Sequence, residues 1–212
     1  MKIAAKMTLP AREFLGFCEN VKDYAAAVDG DTEVVGFTSG EFSIIDVVMA
    51  IVARMDAPRL VFSTWTAAGA DMKHVHETIE SGGISAARWI VDRSFQNRQP
   101  ELCDVLRARF GDDAIRVQRV HCKFVMFEDE KRKILVQTSA NLNKNMRIEN
   151  VSVSPCPVLF GAYAGLVEDI FGTQVPGSGF EESANVTASF KQVVGRKDRR
   201  KKTIAAPWHV RH

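Results

Sequence analysis

Between Glu33 and Phe110, short apolar segments rich in β-branched residues alternate with longer segments of helical period, and few folds satisfy that alternation. Strands are predicted at 33–38, 59–63 and 87–92, and helices at about 42–55, 71–80 and 100–110. Ser39 is the expected cap of the first helix, Gly82-Gly83 stops the second, and Pro100 and Gly111 bracket the third. A fourth strand at 114–120 and a last helix from Pro157 to about Phe171 continue the pattern. The expected fold is α/β, with a mixed, largely parallel central sheet flanked by helices. Ligands of such sheets bind at the carboxyl ends of strands or beside a hairpin mouth. Ser63-Thr64-Trp65-Thr66 follows the second strand. It supplies hydroxyls and an aromatic wall to such a pocket, or is a plain loop around one packed Trp.

The flanks read differently. Leu9, Phe14, Leu15, Phe17, Cys18, Val21, Tyr24 and Val28 fall near a 3.6-residue period, which predicts an amphipathic helix over 8–28 ended by Asp29-Gly30-Asp31. The chain then divides into an N-terminal helical element (1–32), an α/β domain (33–172), and a linker with a basic C-terminal tail (173–212). Of 212 residues, 46% are hydrophobic, enough to give one such domain a good core. Arg196, Lys197, Arg199, Arg200, Lys201 and Lys202 concentrate positive charge in the tail, while residues 1–195 are mildly acidic. Attraction to nucleic acid must therefore be local or come from the tail, which is otherwise a solubilising segment. The longest apolar run, Ile44 to Ala53, contains Asp46 and is about half a membrane span, so no membrane partner is expected. The N-terminal ten residues show no secretory pattern, and cysteines 18, 103, 122 and 156 form no C-x-x-C. Both point to reduced thiols and a cytoplasmic location.

Val120 to Glu128 reads as a buried strand. Alternation places His121 and Lys123 on one face and Cys122, in a packing role, on the other. Alone, H-x-K is better explained by a core histidine and a snorkelling lysine at a sheet edge. The sequel adds to it. A charged turn and a second strand, Ile134 to Gln137, form a hairpin that returns Thr138-Ser139-Ala140-Asn141 to His121, and Glu149 opens a further strand. Imidazole, ammonium, hydroxyl, carboxamide and carboxylate thus converge on one anionic group. His74 and His76 are two apart on a predicted helix and diverge, while His209 and His212 lie in the tail without metal-ligand partners. No P-loop, dinucleotide fingerprint, zinc-protease helix or nucleophile elbow is present.

The constellation resembles the phospholipase D superfamily, whose signature is H-x-K-x4-D followed by G-S-x-N and a later Glu. His121-x-Lys123-x4-Glu128 carries it with Glu for Asp, and Thr138-Ser139-Ala140-Asn141 with Thr for Gly. Arg147-Ile148-Glu149-Asn150 is similar to the segment of the endonuclease branch that bears one motif per chain. The resemblance implies His121, Lys123, Ser139, Asn141 and Glu149 as catalytic residues, with Glu128 a structural motif position. It implies phosphodiester hydrolysis through a phosphohistidine, with no metal or other cofactor, and a homodimer with a joint site. Nucleic acid, DNA or RNA, is the expected substrate. A catalytically weakened nucleic-acid-binding relative and a hydrolase of phospholipids or other phosphodiesters are the alternatives.

Overall fold

The computed structural model describes residues 10–143 and 146–180. Its strands are β1 (Arg12–Phe17), β2 (Glu33–Thr38), β3 (Arg59–Thr64), β4 (Ala86–Asp92), β5 (Ile115–Gln118), β6 (Lys123–Glu128), β7 (Lys133–Thr138) and β8 (Glu149–Ser154). They form one mixed sheet in the order β1-β2-β8-β7-β6-β3-β4-β5. The parallel pairings, β1 with β2, β3 with β4 and β4 with β5, lie toward the edges. The central pairings are antiparallel. The mixed sheet flanked by helices is the expected α/β architecture, but its centre is antiparallel rather than largely parallel, because the β6–β7 hairpin and β8 occupy it.

Helices α1 (Val21–Ala25), α2 (Ile44–Val52), α3 (Gly69–Glu80), α4 (Phe95–Arg98), α5 (Pro100–Phe110) and α6 (Pro157–Thr173) divide between two layers. Tyr24, Val48, Met72 and Leu106, from α1, α2, α3 and α5, join the larger core with Val125 and Phe127 of β6. On the opposite face, Phe160 and Val167 of α6 pack on Phe124, Met126 and Leu135. The strict alternation along β6 gives both cores their anchors from one strand. Among the described residues, no helix is long and apolar enough to cross a membrane.

The N-terminal segment is not a helix over 8–28. Arg12–Phe17 is an edge strand parallel to β2, followed by the short α1. Gly16 has φ +70°, a conformation no helix interior accepts, and the pairing register shifts between Phe14 and Phe17. The apolar spacing arises from a bulged strand and a one-turn helix placed in series. The cap of α2 also moves: Ser43, not Ser39, accepts from Asp46 N and forms a capping box with the Asp46 carboxylate. The Gly/Ser-rich stretch expected as a linker packs in part, because Phe180 is buried beneath the Arg107 guanidinium.

Topology brings one end of the sheet together. Thr38 pairs with Glu149, Thr138 with Lys123, and Ser63 with Phe124. The carboxyl ends of β2, β3 and β7 therefore meet the beginnings of β6 and β8.

Candidate active site

At that end, an open pocket is lined by His121, Cys122, Lys123, Thr138, Ser139 and Asn150, with Gln137 and Tyr163 on the α6 side. Strand β6 begins at Lys123, three residues later than the predicted start at Val120. His121 and Cys122 lie in the preceding loop, and both are exposed. Cys122 thus does not pack against the core, because the period-two rule applies only where the ladder has begun. The loop is held at two points. Val120 N donates to Asp92 Oδ2 at 3.1 Å, and Ser63 Oγ donates to Cys122 O at 3.0 Å.

Lys123 Nζ lies 3.2 Å from His121 Nε2 and 3.4 Å from Nδ1. The ammonium is the donor and a ring nitrogen bearing its lone pair is the acceptor. Burial lowers the Lys123 pKa, against the charges of Glu149 and Cys122, which raise it. An incompletely hydrated cation without an ion-pair partner among the described residues is well suited to receive an oxyanion.

Ser139 sits between β7 and β8. Its hydroxyl donates to the Glu149 carboxylate and accepts from Asn150 N at 3.1 Å. Glu149 thus orients the serine, and its charge is felt at Lys123. Thr138, where the resemblance has Gly, uses its hydroxyl on the backbone. It donates to Asn150 O at 2.7 Å and accepts from Ala140 N at 3.0 Å, fastening the turn that presents Ser139. Asn141 does not line the pocket. Its Oδ1 is buried without a hydrogen-bond partner among the described residues, in a loop that Ala68 N and Thr66 O bind through Leu142. Glu128 is at the far end of β6, paired with Arg59 at 2.8 Å and Lys133 at 3.1 Å. The basic tail residues 196, 197, 199, 200, 201 and 202 lie outside the described residues.

Two neighbours complete the rim. The Trp65 ring stands 6.0 Å from the His121 ring at 61°, so the Ser63–Thr66 segment does bring an aromatic wall to the site. Arg98 lies over the indole, its Cζ 3.6 Å from the ring centre. Sequence reasoning missed Arg98. It is 33 positions from Trp65, and no local spacing marks a cation–π pair across that distance.

No family model matches the chain, and no curated protein matches it by sequence. Among solved structures, it aligns with Nuc from Salmonella typhimurium, a phospholipase D family member. That alignment has a TM-score of 0.50 and 15% identity, over 66% of this chain and 93% of that one. NucT from Helicobacter pylori aligns with a TM-score of 0.48 and 12% identity, over 68% of this chain and 99% of that one. Phosphatidylserine synthase from Haemophilus influenzae Rd KW20 aligns with 0.47 and 13% identity, over 77% of this chain but 45% of its own. With the strand order and the hairpin-mouth pocket on one side and the Nuc alignment on the other, the fold of this chain is that of the phospholipase D superfamily.

Proposed function

We propose that the chain is a metal-independent phosphodiesterase, a homodimeric nuclease in which His121 is the nucleophile. The observation that carries this reading is the contact between an exposed imidazole and a partly desolvated ammonium at the pocket mouth. In the first step a His121 ring nitrogen attacks phosphorus, and the bond to the leaving oxygen breaks as a second imidazole protonates that oxygen. In the second, water gives its proton to that imidazole and attacks phosphorus, and the N–P bond breaks. The products are an alcohol and a phosphomonoester, with both imidazoles restored. Lys123 offsets the charge that grows on the phosphoryl oxygens, helped by the Ser139 hydroxyl that Glu149 orients. Asn141 reaches the phosphate only after its loop adjusts.

The second imidazole is assigned to the His121 of another copy, across a two-fold axis beside the pocket. Support comes from the loop between β7 and β8, where Met146 is 83% exposed and Ile148 67% exposed. Large apolar side chains beside a polar pocket favour a covering partner. The tail bases at 196, 197 and 199–202 serve as a phosphate-binding arm.

Incubation of the purified protein with DNA and RNA in excess EDTA tests the reading. Cleavage at an undiminished rate is expected, by a species that sediments as a dimer. Cleavage that appears only with added Mg²⁺ would contradict the mechanism. Binding without cleavage would favour the weakened relative.

A further inference from the structure

Arg98 is an exposed cation with most of its freedom removed. Its Nη2 donates to Trp65 O at 2.7 Å, and its Nε donates to Ser94 Oγ at 3.0 Å. The Ser94 hydroxyl donates in turn to Asp92 Oδ1, while Asp92 Oδ2 accepts from Val120 N. One carboxylate therefore positions both the Arg98 guanidinium and the loop that carries His121. The guanidinium rests on the half-buried indole at 3.6 Å, a stacking separation, and the indole borders the imidazole.

This geometry selects among ligands. An arginine that grips a phosphate offers a paired N–H edge. Here the Nε–Nη2 edge is already engaged by Trp65 O and Ser94 Oγ, which leaves the Nη1 end and the outer face of the guanidinium. With the indole beneath one face, the larger surface that Arg98 presents is the opposite flat face of a guanidinium held in place. A planar π system is the group that such a face attracts.

Resting on the nuclease reading above, we infer that Trp65 and Arg98 form a subsite for one unpaired nucleobase beside the scissile phosphate, with the base stacked on the outer face of Arg98. A base can lie there only when it is free of a complementary strand, so the substrate class is single-stranded nucleic acid.

The test compares two single-stranded oligonucleotides of equal length, one intact and one with abasic sugars throughout. Wild-type protein is expected to cleave the intact strand with kcat/KM about tenfold higher, the size typical of one stacked base. Arg98→Ala removes that preference, lowering kcat/KM about tenfold on the intact strand and less than twofold on the abasic one. Arg98→Lys keeps the charge without the plane. It is expected to behave like Arg98→Ala, and it carries the test if the alanine variant does not fold. Equal losses on both strands would make Arg98 a phosphate contact or a scaffold residue, and would overturn the subsite while leaving the nuclease reading intact. Unchanged cleavage of the intact strand by either variant would also overturn it. Failure of wild-type protein to cleave either strand would instead remove the nuclease reading, and the subsite with it.

Discussion

Strand β6 carries charged groups at both ends, and the two ends are built on different terms. Beyond Glu128, Asp129 is almost fully enclosed, its side chain 1% exposed. It accepts from Asp56 N, Lys131 N, Arg132 N and the Arg132 guanidinium. Burial pushes its carboxyl up, but those bonds outweigh burial and hold it below the ordinary carboxylate range. Arg54 is drawn in as well, through its carbonyl to Arg132 and its guanidinium to Asp29. Glu128 itself bridges Arg59 and Lys133. At the other end, about 16 Å away along the strand, Lys123 meets an imidazole rather than a carboxylate. Asn141 Oδ1 and Asp71 Oδ2 are buried there with no hydrogen-bond partner among the described residues. The sequence motif spans both ends, but the ends do different work. Charges matched within the chain fasten the hairpin, and groups left unmatched are available to something outside it.

The sharpest break of that contrast is at His121. His121→Ala is expected to lower turnover by at least about a thousandfold. Its thermal midpoint should stay within a degree or two of wild type, because the ring is exposed and its polar and aromatic contacts among the described residues are with Lys123 and Trp65. Retained activity, or a large loss of stability, would place His121 with the structural groups.

Asp129→Ala should give the mirror image. Removing the carboxylate leaves several N–H donors and the Arg132 charge without their acceptor. A loss of about 3 kcal/mol in urea unfolding is expected, with kcat of the folded fraction unchanged. A fall in kcat at full stability would erase the distinction between the two ends.

Asp71 refines the comparison, since it is an unmatched acid in the first turn of α3 at the site end. Burial pushes its carboxyl up to about 6, with the charge of Asp46 adding and His74 opposing. Its folded pKa lies above its ordinary value of 3.8, so the fold favours the neutral acid. The stability it contributes is complete below about pH 4 and is lost as the pH rises through about 6. Asp71→Asn should therefore be more stable than wild type by about 1–2 kcal/mol at pH 8, and by little at pH 4. Urea titrations at the two pH values measure this, and an equal gain at both would show that ionisation is not the cause.

Much of this contrast is legible in the sequence. Residues 33 to 110 alternate cleanly because each strand is buried and each helix is amphipathic, so local pattern and tertiary position agree. His121, Lys123, Ser139 and Glu149 read together because a short hairpin fixes its own register, and the pairing of Lys123 with Thr138 follows from it. The N-terminal strand does not show in the sequence because Phe14 and Phe17 are exposed on an edge, where side chains need not alternate between core and solvent. Arg98 and Asp92 were invisible because their partners, Trp65 and Val120, are distant in sequence. The unmatched state of Asn141 was equally hidden, since a missing bond has no sequence signature.

The central claim is that a His121 ring nitrogen bonds to phosphorus during the reaction. Stereochemistry at phosphorus tests it most directly. An oligonucleotide with a single phosphorothioate of defined configuration is cleaved in ¹⁸O-labelled water, and the chirality of the product phosphorothioate is determined. Two successive in-line displacements, one by His121 and one by water, retain configuration, and retention is the predicted result. Inversion would mean that water attacks the diester directly, and would contradict the account.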